Sequence, residues 1–176
     1  MTATRTLILG GVRSGKSRLA ERLAMESRLP VTYIATATGD DAEMRARIAA
    51  HRARRPDHWQ VIEEPLQLAS VLTQHTNEER CLLVDCLTLW LTNWLLHPEA
   101  ARLDAERTAF LNALSQATGR LILVSNETNM GIVPMGELSR RYCDEAGQLH
   151  QAAAQCCDQV ILTVAGLPLV LKGEPV

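Results

Sequence analysis

At 176 residues, with 47% hydrophobic and 22% charged residues, the chain has the size and make-up of one ordinary folded domain. That excludes a disordered chain, and a formal net charge of -2 gives no general pull towards nucleic acid or anionic membrane. No apolar run approaches the ~20 residues needed to span a bilayer, so no membrane insertion is expected and any anion site must be built locally.

In chain order, residues 6–9 read as a strand, followed by a glycine loop and a helix over 16–27 with Leu19, Ala20 and Leu23 on one face. Residues 31–35 read as a second strand, and 40–55 as a helix opened by the capping pair Asp40 and Glu43. A short strand over 59–62 ends at Glu63-Glu64-Pro65, and the apolar run 81–84 stops at Asp85. Helical patterns follow over 87–96 and 100–117. The buried run 121–124 then ends at Ser125-Asn126-Glu127. Residues 137–156 read as helix, 160–164 as strand and 167–171 as a last strand.

Continuous rather than alternating apolar runs mark strands covered on both faces. The expected fold is α/β, a mostly parallel sheet with helices on both faces, in one domain over 1–176 without repeats or linkers. Five cysteines (Cys81, Cys86, Cys143, Cys156 and Cys157) form no C-x-x-C pair and are odd in number. They read as small buried hydrophobes of a reducing compartment. Residues 1–5 run straight into a strand, leaving no room for a signal peptide, and the expected location is cytoplasmic.

Gly10-Gly11-Val12-Arg13-Ser14-Gly15-Lys16-Ser17 satisfies G-x-x-x-x-G-K-[ST] between an apolar strand and an amphipathic helix. The glycines let successive backbone N–H groups turn inward around phosphates, and the helix start adds the positive end of its dipole. Lys16 is expected to reach the outer phosphates and the Ser17 hydroxyl to bind Mg²⁺. Such a loop needs a second carboxylate for the metal at a strand end. Asp85 fits, although an aspartate there also serves as a turn or helix-cap residue.

His51 closes an apolar stripe of Met44 and Ile48 and is followed by Arg52, Ala53, Arg54 and Arg55. Periodicity alone allows a core histidine at a helix end. Chemistry allows more: a neutral imidazole is a competent nucleophile towards phosphorus, and three arginines can hold triphosphate oxygens and a pyrophosphate leaving group. Asn126 and Glu127 read equally as a polar strand-to-loop turn or as substrate or metal groups. Trp59, Trp90 and Trp94 can stack on a flat ligand, but the i, i+4 pair Trp90 and Trp94 has the spacing of core residues.

Taken together, these motifs resemble the bifunctional adenosylcobinamide kinase / adenosylcobinamide-phosphate guanylyltransferase family of cobalamin biosynthesis. The matching segments run nearly end to end. They are the glycine loop, Tyr33-Ile34-Ala35-Thr36, Arg47-Ile48-Ala49-Ala50-His51-Arg52 with Arg55-Pro56 and Trp59, and Glu63. Further along come Val84-Asp85-Cys86-Leu87-Thr88 with Thr92-Asn93, and Ser125-Asn126-Glu127 with Gly131-Ile132-Val133-Pro134.

The resemblance implies a RecA-like P-loop NTPase domain, a homotrimer, and two reactions. The γ-phosphate of ATP or GTP goes to the aminopropanol hydroxyl of adenosylcobinamide. The residue matching His51 then takes GMP from GTP and passes it to adenosylcobinamide phosphate. It also implies that Ala35, Thr36, Ala37, Arg52, Ala53, Arg54, Arg55, Glu63 and Asp85 line the guanine nucleotide site. One departure is visible: the family's N-E-V-G-x-G reads Asn126-Glu127-Thr128-Asn129-Met130-Gly131 here. Asparagine tolerates the left-handed backbone, so the turn survives. Two rival readings are a single-step P-loop small-molecule kinase in which His51 is structural, and a nucleotide-gated binding module.

Overall fold

Successive side chains of a strand point to opposite faces, and the strands of this chain use that alternation to feed two cores. Leu7, Leu9, Leu82, Val84, Leu121 and Leu123 face one side of the sheet. Ile8, Cys81, Leu83, Ile122 and Val124 face the other. A computed structural model describes residues 4–38 and 42–175. The capping pair Asp40 and Glu43, and the side chains of Met44, Arg47, His51 and Arg54, lie outside that description.

The elements are β1 Thr4–Gly10, α1 Lys16–Glu26, β2 Val31–Ala35, α2 Ala42–Arg54, β3 Gln60–Glu63, α3 Leu68–His75 and β4 Cys81–Asp85. There follow α4 Leu87–Leu96, α5 Leu103–Gln116, β5 Arg120–Asn126, α6 Glu137–Cys156, β6 Gln159–Val164 and β7 Leu167–Lys172. They form one seven-stranded sheet in the order β3-β2-β4-β5-β1-β6-β7. Every pairing is parallel except β6 with β7, which are antiparallel.

Residues from α1 fill one face of the sheet, while α3, α4, α5 and α6 fill the other. The expected mostly parallel sheet with helices on both faces is therefore present. Two elements differ from expectation. Helix α3 is short, but Leu68, Val71 and Leu72, spaced by three and four, are buried. The helix expected over 100–117 is interrupted, with a 3₁₀ turn at Ala100–Arg102 before α5 begins.

The tryptophans belong to the core. Trp59, Trp90 and Trp94 are all buried. Trp90 and Trp94 both donate their indole N–H to the Leu66 carbonyl, at 2.7 and 3.0 Å. All five cysteines are free. Burial pushes the Cys81 thiol up to about 11 and Cys157 up to about 12, so both are inert apolar fillers.

Candidate functional site

Parallel strands gather their ligand-binding residues at the carboxyl ends, where the loops to the next helices begin. Here that edge carries, in spatial order, Glu63, Ala35, Asp85, Asn126, Gly10 and Thr163. Strand β5 lies between β1, which carries the glycine loop, and β4, which ends in Asp85.

The loop is braced from three sides. Ser14 N–H closes back on the Gly11 carbonyl at 3.2 Å, and the Gly166 N–H from the β6–β7 turn donates to the Ser14 carbonyl at 3.0 Å. The Ser14 and Thr163 hydroxyls are 2.8 Å apart, and Thr163 donates to the Leu9 carbonyl at 3.1 Å. Gly10 is required by close approach, since a Cβ would meet Thr163 Oγ1 at 2.4 Å and Ser14 Oγ at 2.5 Å. Gly15 has φ 100° and caps α1, a left-handed position suited to glycine.

Helix α1 begins at Lys16, so its first free N–H groups and dipole face the concavity of the loop. Lys16 is buried, and its Nζ donates to the Gly11 carbonyl at 2.6 Å. Burial lowers the Lys16 pKa, while the nearby Asp85 carboxylate pulls it up. Lys16 and Asp85 therefore feel one another across the β5 end, and an anionic ligand at Lys16 would restore its preference for charge. Ser17 is half-buried one residue into the helix. Asp85 Oδ2 is buried with no hydrogen-bond partner among the described residues, an arrangement that a cation would relieve.

The basic segment reaches the same region from the other side. The Arg55 guanidinium stacks 3.7 Å over the Tyr33 ring. Burial first, and then the neighbouring Asp85 charge, push the Tyr33 phenol upwards. Arg52 pairs with Glu63 at 2.8 Å on the exposed rim. Ala53 is exposed, and Ala35 and Ala37 are partly exposed at the β2 end.

Thr36 is fully buried and works as a brace. Its hydroxyl donates to the Cys86 carbonyl at 2.7 Å and accepts the Cys86 N–H at 2.8 Å. Asn93 donates to the Thr36 and Pro65 carbonyls at 2.9 and 3.1 Å.

The structure thus brings together the loop, Lys16, Asp85, Tyr33 and Arg55. It places Arg52 and Glu63 further out on the same edge. The His51 and Arg54 side chains fall outside the described residues. A polar line joins Glu127, which the sequence offers as a substrate or metal group, to Thr88, Ser125 and His150. His150 was not singled out, and its sequence signal is a histidine beside the buried positions Ala146, Leu149 and Ala153 of α6.

Fold and loop together define a RecA-like P-loop nucleotide-binding protein. Similarity to known proteins narrows this. The chain is 66% identical over 97% of its length, and 99% of the relative's, to the bifunctional adenosylcobalamin biosynthesis protein CobP of Pseudomonas aeruginosa. It is 35% identical over 94% of its length, and 98% of the relative's, to the bifunctional adenosylcobalamin biosynthesis protein CobU of Escherichia coli. The fold resembles that of the RadB recombinase, with TM-score 0.51, 17% identity and coverage of 92% of this chain and 73% of that one. The family model for cobinamide kinase / cobinamide phosphate guanyltransferase matches residues 6–171, and the chain belongs to that family. It is accordingly an enzyme with a kinase and a guanylyltransferase activity.

Proposed function

We propose that this chain phosphorylates the aminopropanol hydroxyl of adenosylcobinamide with ATP or GTP, then attaches GMP to the product through a covalent intermediate on His51. The neutral His51 imidazole attacks the α-phosphorus of GTP, the bond to the bridging oxygen breaks, and pyrophosphate leaves with its electron pair. The phosphate of adenosylcobinamide phosphate then attacks the same phosphorus, frees His51 and yields adenosylcobinamide-GDP.

The observation carrying this reading is the continuity from phosphate loop to basic helix. Asp85 acts on both Lys16 and Tyr33, and Arg55, four residues after His51, lies over Tyr33. The residue that follows the His51-bearing helix therefore lies over β2, next to the strand that ends in Asp85. Gly10, Gly11, Val12, Arg13, Ser14, Gly15, Lys16 and Ser17 cradle the phosphates. Ala35, Ala37, Glu63 and Asp85 line the nucleotide's far side, with the fully buried Thr36 bracing the strand end behind them. Arg52, Arg54 and Arg55 steady charge growing on the pyrophosphate.

Ser17 and Asp85 Oδ2, unpartnered among the described residues, suit Mg²⁺, which when bound neutralises charge on the phosphate oxygens. The five unpaired cysteines suit a reducing cytoplasm. A homotrimer has support from two separate apolar segments. Met130, Ile132, Val133 and Met135 are 71–99% exposed in one, and Leu167, Leu169 and Leu171 are 55–71% exposed in the other. Two unlike patches suit head-to-tail contacts that close a ring.

The test is His51→Ala. It is expected to abolish GMP transfer while phosphorylation of the corrinoid continues. Unchanged GMP transfer in that variant overturns the covalent route.

A further inference from the structure

Four polar side chains from β5, the turn after it, α4 and α6 form a line behind the phosphate loop. The Asn126 N–H, which can only donate, reaches Thr88 Oγ1 at 2.7 Å. Thr88 Oγ1 lies 3.4 Å from Ser125 Oγ, and Ser125 Oγ lies 2.8 Å from His150 Nε2. On the other side of the ring, Nδ1 is 3.7 Å from Glu127 Oε2.

Ser125 Oγ and His150 Nε2 share a hydrogen bond, and on the far side of the ring Nδ1, buried and without a hydrogen-bond partner among the described residues, faces the Glu127 carboxylate. Burial lowers the His150 pKa against the pull of Glu127, so the ring is neutral at pH 7.

Serine, histidine and glutamate in this order have the connectivity of a hydrolase triad. Ser125 is 1% exposed, however, so no substrate reaches its oxygen. The line ends instead on Glu127, whose backbone N–H donates to the Gly10 carbonyl at 2.9 Å. Its Oε1 accepts the Asn129 N–H at 2.7 Å. The carboxylate is therefore fixed at the rim of the phosphate loop. It follows β5, the strand that lies between the one carrying that loop and the one ending in Asp85.

The two reactions of the family differ in what they ask of a base. A phosphate acceptor is already ionised at neutral pH, with a second pKa near 6, whereas a hydroxyl must lose a proton as it attacks. We propose that Glu127 is the base of the phosphoryl-transfer step, and that His150, whose ring faces its carboxylate at 3.7 Å, is a positioning residue for it. The acceptor oxygen bonds to the γ-phosphorus as Glu127 takes its proton. The bond from that phosphorus to the bridging oxygen breaks, its electron pair leaves with the nucleoside diphosphate, and Glu127 returns the proton to solvent. The proposal rests on the kinase activity of the family and not on the covalent role of His51.

The test compares phosphorylation of cobinamide with GMP transfer to cobinamide phosphate, measured separately for each variant. Glu127→Gln is expected to lower kcat of phosphorylation by about 10²–10⁴-fold, with acceptor KM within about threefold and GMP transfer nearly unchanged. His150→Gln, whose amide can still bond Ser125 and face Glu127, is expected to retain more phosphorylation than His150→Leu. Should His150→Leu fail to fold, Glu127→Gln and His150→Gln carry the test, with their GMP transfer reporting an intact fold. Phosphorylation by Glu127→Gln within about threefold of wild type overturns the proposal, as does an equal loss of both reactions. A wild-type chain that phosphorylates no corrinoid would instead refute the kinase reading.

Discussion

Gly10→Ala isolates the packing of the phosphate loop from its chemistry. The new Cβ would fall 2.4 Å from Thr163 Oγ1, 2.5 Å from Ser14 Oγ and 2.6 Å from the Thr163 carbonyl oxygen. The two hydroxyls can turn only by giving up their 2.8 Å contact, and the carbonyl belongs to β6 and cannot retreat without shifting a strand. Overpacking of this kind costs about 1–3 kcal/mol, and the lost freedom of the unfolded glycine returns less than about 1 kcal/mol. A backbone conformation that favours glycine, φ 156°, adds a further cost. A net loss of about 2 kcal/mol lowers Tm by about 4–8 °C in a chain of this size.

Gly11→Ala is the control, because nothing lies within 4 Å of its added Cβ. Thermal unfolding without nucleotide should therefore separate two neighbouring glycines of one motif, with Gly10→Ala clearly lower and Gly11→Ala close to wild type. Equal melting temperatures for the two variants would refute the packing argument. A reversed order would do so more strongly.

Two further outcomes concern the core and the buried histidine. Trp90 is 1% exposed, tilted against Phe110 at a centroid distance of 5.3 Å, and bonded to Leu66. Trp90→Ala should cost about 3–5 kcal/mol, or roughly 6–20 °C in Tm by calorimetry. If Trp90 were instead a ligand platform, stability would hold while corrinoid affinity fell. For His150, burial lowers the pKa below its ordinary 6.5, so the folded ring takes a proton less readily than the unfolded one. Above that value neither state is charged and the ring contributes nothing to the pH dependence. As pH falls below it, the unfolded chain gains a proton that the folded chain refuses, and stability declines. Wild type should lose Tm relative to His150→Gln between about pH 7 and about pH 5. A flat difference contradicts this.

Much of this molecule is legible in its sequence because its signals are local. The loop at residues 10–17 has fixed spacing, and the strands announce themselves as apolar runs that alternate between two cores. Asp85 stands out because it ends such a run. Helix α3 escaped notice because eight residues give barely two turns and no side chain caps its start. The insertion of β5 between β1 and β4 is a matter of pairing partners far apart in the chain, which no local pattern encodes. The same holds for Thr88, Ser125 and His150. Their separations of 37 and 25 residues become contacts only once α4 and α6 pack on the same face of the sheet. The two tryptophans of α4 had the spacing of core residues and are core residues. Their shared bond to Leu66 was not foreseeable, because it depends on where the β3–α3 connection passes.

The central claim is that the group transferred through this protein's own side chain comes from the α and not the γ position of GTP. The direct measurement is to incubate the chain with GTP labelled at one position or the other, with Mg²⁺ and without corrinoid, then denature and count label on the protein. Label from the α position alone, absent in His51→Ala, is the predicted result. Protein label arriving from the γ position, or α label that survives the loss of His51, would contradict it.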